Sequence, residues 1–261
     1  DQLRDVQQIQ ASDGALAAIL GDGSVVTWGD ANIGGDSGAV QDQLRDVQQI
    51  QACQQAFAAI LRDGSVVTWG YRCGGGSSEV QDQLRDVQQI QASRQAFAAI
   101  LGDGSVVAWG NGLFGGDSSA VQEQLRDVLQ IQDQLRDVQQ IQASGHAFAA
   151  ILGDGSVVIW GSARHGGDSS EVQDQLRDVQ QIQASYSAFA AILRDGSVVT
   201  WGNDCSGGDC SAVQDQLQNA QQIQASFGAF AAILGDGSVV TWGNADFGGD
   251  SSAVQDQLRD V

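Results

Sequence analysis

The side chains able to do chemistry are few in this 261-residue chain: two histidines, four cysteines and a set of loop carboxylates. His146 and His165, joined by Asp168, are the one combination that could ligate a metal. Three loosely spaced groups fall short of the compact ligand sets that zinc and its neighbours require, so no metal is expected and the two imidazoles read as surface residues. A nucleophilic Ser, Thr or Cys needs a base within hydrogen-bond reach, and only these two His could serve. No catalytic residue is therefore expected, and the chain reads as a non-enzyme. The recurrent GDGS and GGDSS strings fit Asp and Ser capping backbone amides, whereas a calcium loop needs several carboxylates closely spaced. No glycine-rich phosphate cradle followed by a helix occurs, and no cofactor is expected. Cys205 and Cys210 share one short string, NDCSGGDCS, and could close a disulfide. Cys53 and Cys73 could pair as well. Free thiols fit equally, because four cysteines are too few for a disulfide framework and leave the redox compartment open.

What positions these groups is a repeat. The six Trp stand at 28, 69, 109, 160, 201 and 242, so five spacings are about 41 residues except one of 51. The strings IQA, DGSVV, WG and GG recur in each unit. QQIQA, AFAAIL and SVVTWG are short, rich in Val, Ile and Ala, and separated by Gly and Asp, as strands joined by tight turns are. AVQDQL reads as a fourth, weaker strand. AFAAIL and SVVTW are apolar on both sides of the pleat, so both faces must be covered by neighbouring sheets. About forty residues and four strands per unit predict an all-β chain, a β-propeller of six blades, or seven if a repeat lies outside this chain. A β-solenoid is the other architecture of this kind, but its coils are usually shorter. The blades are expected at 1–44, 45–84, 85–125, 133–176, 177–217 and 218–258, forming a single propeller over 1–261. A duplicate of ten residues, 123–132, precedes the fourth blade; it reads as a neutral slip, with an edge strand or a bulged connection as the other outcomes.

The order VQDQLRDVQQIQAS, AFAAILRDGSVVTWG and a Gly-rich loop resembles the regulator of chromosome condensation repeat, over essentially the whole chain. The DG turn followed by a strand ending in WG is its most specific part. The family's Gly and His before the second strand are replaced by Ser12 and Ala15 and their equivalents, and its Gly-Gln-Leu-Gly loop becomes GGDS. Tandem arrays of this wording also resemble predicted proteins of dinoflagellate algae. The resemblance implies a propeller, and as functions guanine-nucleotide exchange on a small GTPase or plugging of an enzyme. Exchange carries over poorly, because the family's acting loops do not match here.

Comparison of the six copies shows where the sequence is held and where it is released. Release follows QA at the end of the first strand, and again follows WG. In an up-and-down blade both loops emerge at the same end, with the DG turns at the other. Tyr71, Arg72, Arg94, Leu113, Phe114, His146, Arg164, His165, Tyr186, Phe227 and Phe247 fall in or beside these loops. Aromatic residues and Arg dominate binding hot spots, whereas unconstrained drift would supply small polar residues. These eleven residues are the expected partner-binding face.

Composition narrows the partner. The chain has 32 Asp+Glu against 12 Lys+Arg, a formal net charge of −20, and all twelve basic residues are Arg. Nucleic acid is not expected, since phosphate affinity rests on cationic contacts. No stretch approaches the roughly 18 apolar residues of a membrane span. A membrane-complex partner remains compatible. With no Met, the chain reads as processed or partial, and organellar and cytoplasmic locations both stay open. The expectation is a non-catalytic interaction or scaffold subunit that binds a protein partner through one loop face.

Overall fold

The computed structural model describes residues 5–71, 76–126, 138–254, 256 and 258. It is all-β in the propeller manner, with six antiparallel sheets of three strands each, one per repeat. The first sheet holds β1 (Val6–Ala11), β2 (Ala15–Leu20) and β3 (Val25–Gly29), and the last ends the series with β16 (Ala220–Ala225), β17 (Ala229–Leu234) and β18 (Val239–Gly243). The described residues gather into two compact units, 1–122 and 123–261, with three sheets in each.

The strands form where β-branched and aromatic residues run between turn formers. Each DG turn closes the second and third strands: Gly23 takes φ +79°, which only glycine adopts freely, and donates to the Leu20 carbonyl. Asp22 Oδ1 accepts both Ser24 N and Ser24 Oγ, and these bonds hold its carboxyl below the usual carboxylate range. Opposite each turn the chain enters the first strand through Asp5, Asp46, Asp86, Asp178 or Asn219 at φ 53 to 57°, a left-handed conformation that Asp and Asn tolerate. The blades lock together there, because Val47 N donates to Gly23 O and Val87 N to Gly64 O.

The cores lie between blades. Ala15, Ala17 and Ile19 of the first blade pack with Ile50, Phe57 and Trp69 of the second, and the same set recurs at the second–third, fourth–fifth and fifth–sixth junctions. Alanines such as Ala58 and Ala59, fully buried, let the sheets approach closely while the aromatics fill the remaining width. In five blades the Phe at the second position of the second strand stands directly across from the Trp next to the end of the third and stacks on it, with centroids 5.2–5.4 Å apart. The first blade carries Leu16 there, opposite Trp28.

The fourth strand expected at AVQDQL does not form in any described copy; the segment is a run of turns and short 3₁₀ helices. Its work is done by side chains. Gln41, Gln81, Gln122, Gln173 and Gln214 each reach back with Nε2 to a carbonyl at the start of the third strand, at 2.9–3.2 Å. Those carbonyls, which a fourth strand would have paired, are thus satisfied without a ladder. Leu44, Leu84, Leu125, Leu176 and Leu217 anchor the segment, each at no more than 1% exposure. Of the duplicated stretch, Glu123 to Arg126 belong to a short helix, Gln122–Arg126, and the remainder lies outside the described residues.

Candidate functional site

Both variable loops keep a constant backbone. After WG the chain turns through a three-residue 3₁₀ helix (Ala31–Ile33, Gly112–Phe114, Ala163–His165, Asp204–Ser206, Ala245–Phe247), each ended by a glycine at φ 90 to 103°. Side chains of Asp30, Asn111 and Asn244 cap the turn by accepting from the amide two residues on. The closing glycine has a second task. Gly34, Gly166 and Gly207 lie so close to the Phe of the following blade that a Cβ would come within 2.5–2.6 Å of its ring, and their carbonyls accept Trp69, Trp201 and Trp242 Nε1 at 3.1 Å. These three loops are seated on the Phe–Trp stack of the following blade.

The two loops of one blade are also tied together. Ser12, Ser93, Ser144, Ser185 and Ser226 each donate Oγ to the carbonyl of the last 3₁₀ residue, at 2.7–3.2 Å. These serines, a departure from the repeat that the sequence resembles, thus join the two loops, a role that residue type alone does not reveal. Backbone bonds then run from blade to blade through the loops after QA. In the first unit Asp13 N donates to Gln54 O and Gln54 N to Arg94 O; in the second, Gly145 N donates to Tyr186 O and Tyr186 N to Phe227 O, all at 2.9–3.0 Å. Within each unit the variable positions of successive blades are thus rungs of a ladder, which brings their side chains together.

In the second unit those side chains build a row of rings. His165 stacks on His146 at 4.0 Å, His146 meets Tyr186 edge-on at 5.2 Å, Tyr186 stacks on Phe227 at 4.5 Å, and Phe227 lies 5.1 Å from Phe247 at a 42° tilt. His165, His146 and Tyr186 are half-buried, whereas Phe227 and Phe247 are 56% and 44% exposed. Arg164, exposed, stands beside His165 at one end, and Asp246, also exposed, beside Phe247 at the other. In the first unit Arg94 Nε reaches Gln54 Oε1 across the same rungs, Tyr71 and Leu113 are exposed, and Phe114 is half-buried. Arg72 and Cys73 lie outside the described residues, and with them the proposed Cys53–Cys73 pair.

His146 and His165 meet by stacking, but His165 Nδ1 is engaged with Ser162 Oγ at 2.9 Å and Asp168 Oδ1 accepts from Ser170 N. Among the described residues no three His, Cys, Asp or Glu are grouped to hold a metal ion. The Cys205–Cys210 bridge considered from the sequence is absent: Cys205 is exposed while Cys210 is buried, its Sγ donating to Gln214 Oε1 at 2.8 Å in the place where other blades put Ser. Cys53 likewise fills the position of the loop-tying serine. Burial raises both buried thiols above their ordinary pKa. A cleft of about 630 Å³ between the fourth and fifth blades is lined by Asp168, Glu171, Thr200, Asp209 and Gln214. No described helix is long and apolar enough to cross a membrane.

Solved structures supply the comparison. The chain matches human WBSCR16 with a TM-score of 0.58 and 15% identity, covering 93% of this chain and 78% of that one. It matches the ectodomain of the Physcomitrella patens receptor kinase CR4 at 0.56 and 16%, covering 91% and 61%. It matches Prp20p of Saccharomyces cerevisiae, whose structure was described with its binding to Gsp1p and histones, at 0.52 and 17%, covering 91% and 72%. The fold shared with these structures is a β-propeller. No family model matches, and no curated protein matches.

Proposed function

We propose that the chain is a non-catalytic interaction or scaffold subunit of a larger assembly, and that it binds a protein partner through the loop face. The observation that carries this reading is the contrast between backbone and side chain. The loop backbones repeat bond for bond across blades, while the side chains they hold change to Tyr, Phe, His, Arg and Leu, several of them exposed. Rigid loops that present diversified aromatic and Arg side chains match how repeat proteins bind partners, and large rigid rings gain contact area at little entropic cost. A body carrying −20 formal charges favours partners with basic surfaces and disfavours nucleic acid. In this reading the six blades, 1–44, 45–84, 85–125, 133–176, 177–217 and 218–258, act as one recognition module, with 123–132 a neutral insertion.

The test is isolation of the native particle followed by amide-exchange mapping of the chain with and without its companion. Protection concentrated in the loops after QA and WG supports the reading. Protection concentrated at the DG turns overturns it.

A further inference from the structure

The partner's chemistry can be read one step further from the ring row of the second unit, an inference that rests on the loop-face reading above. We infer that the Phe227–Phe247 end of this row is a seat for arginine side chains of an extended basic segment in the partner. Three observations converge. The rings of Phe227 and Phe247 touch, 5.1 Å apart at a 42° tilt, and both are exposed, so together they present a continuous aromatic surface to solvent. Phe227 is backed by Tyr186, which stacks on it at 4.5 Å and is itself fixed by the backbone bond from Tyr186 N to Phe227 O. This aromatic surface is therefore preformed and costs little to order.

Charge selects the guest. Asp246 sits next to Phe247 in the same 3₁₀ turn, and Asp204 occupies the corresponding turn of the preceding blade; both are exposed, and no described ion pair takes either. The row's one cation, Arg164, stands at its opposite end beside His165. A guanidinium is flat, weakly hydrated and always charged, so it can lie on a phenyl face while its edge donates to a carboxylate. An ammonium is compact and strongly hydrated and uses only the charge. An aliphatic side chain would use the rings but leave the acids unanswered.

The experiment takes three labelled peptides, alternating Gly with Arg, Lys or Glu, and measures their anisotropy on the full chain at low and moderate salt. The Arg peptide is expected to bind several-fold more tightly than the Lys peptide, and the Glu peptide not to bind. Phe227→Ala and Phe247→Ala each weaken the Arg peptide roughly two- to fivefold, the scale of exposed cation–π contacts. Asp246→Asn weakens it and flattens its salt dependence, while Asp195→Asn at a DG turn leaves it unchanged. Unaltered thermal melts establish that the exposed-ring variants fold.

Equal affinity for Arg and Lys peptides, indifferent to the ring variants, would overturn the inference, because the acidic body alone would be the binder. Absence of Arg-peptide binding overturns it too. If the loops at 186 and 227 are still protected by the native companion in that case, the loop-face reading stands without its cationic guest; protection at the DG turns instead removes both. Binding of a neutral oligosaccharide that is lost in Phe227→Ala, with no preference for Arg, would reassign the row to sugar stacking and likewise overturn the proposal.

Discussion

Replacing Gly207 by Ala tests whether its loop is seated on the next blade's aromatic pair. Gly207 has φ +91°, and a Cβ there would lie 2.6 Å from Phe230 Cδ2 and 2.9 Å from Cε2. Two costs are expected. Holding an alanine in left-handed backbone costs about 1 to 2 kcal/mol. Forcing Phe230, 1% exposed and stacked on Trp242, to give way in a filled core costs about 1 to 3 kcal/mol more. Gly248 is the matched control, since it closes the equivalent loop of the last blade at φ +96° but has nothing within 4 Å of its Cβ position. Gly248→Ala therefore incurs the backbone cost alone. Urea unfolding of both variants, followed by Trp fluorescence, should place Gly207→Ala below Gly248→Ala by about 1 to 3 kcal/mol. If the two lose the same stability within about half a kcal/mol, the seating of loop on stack contributes nothing and the argument fails.

Three further outcomes follow from other contacts. In native protein Cys205 should react rapidly with a thiol probe at pH 8, while Cys53 and Cys210, whose burial raises the thiol pKa, should react only on unfolding; fast labelling of Cys210 would contradict its place beneath Gln214. Phe189→Leu, which leaves Trp201 with the arrangement the first blade has naturally, should cost about 1 to 2 kcal/mol in the same urea assay, the loss of one stacked pair and some buried area. The DG-turn carboxylates Asp22, Asp63, Asp195 and Asp236 have folded-state pKa values lowered by their Ser hydroxyl and amide bonds, so their contribution is present above the ordinary carboxylate range near about 4 and is lost as pH falls through the lowered values. Ser65→Ala should move Asp63 back toward the ordinary value in a carboxyl titration followed by NMR.

The blade was legible in the sequence as far as its signals are local. Three strands with their turns follow from short apolar runs broken by DG and GG, and double-sided burial of AFAAIL follows from its lack of alternation. The fourth strand does not form although AVQDQL has strand-like spacing, because its first Gln satisfies the sheet edge across about sixteen residues, a contact that periodicity does not reveal. The loop face was legible as a set of residue types and not as an arrangement. That Tyr186 and Phe227 stack depends on a backbone bond between blades, and that His146 meets His165 depends on Ser144 tying two loops. The glycine seats were visible only as a repeated GG, since sequence gives no hint that the first glycine touches the Phe of the following unit.

Binding of a partner through the loop face is tested most directly by the affinity of the native companion for a chain carrying Tyr186→Ala and Phe227→Ala together. The account predicts a loss of at least about 2 kcal/mol in binding, of the order expected for paired aromatic hot spots, with the unfolding midpoint little changed. Undiminished affinity in a folded double variant, with binding lost instead when Asp63 and Asp195 at the DG turns are both changed to Asn, would contradict it.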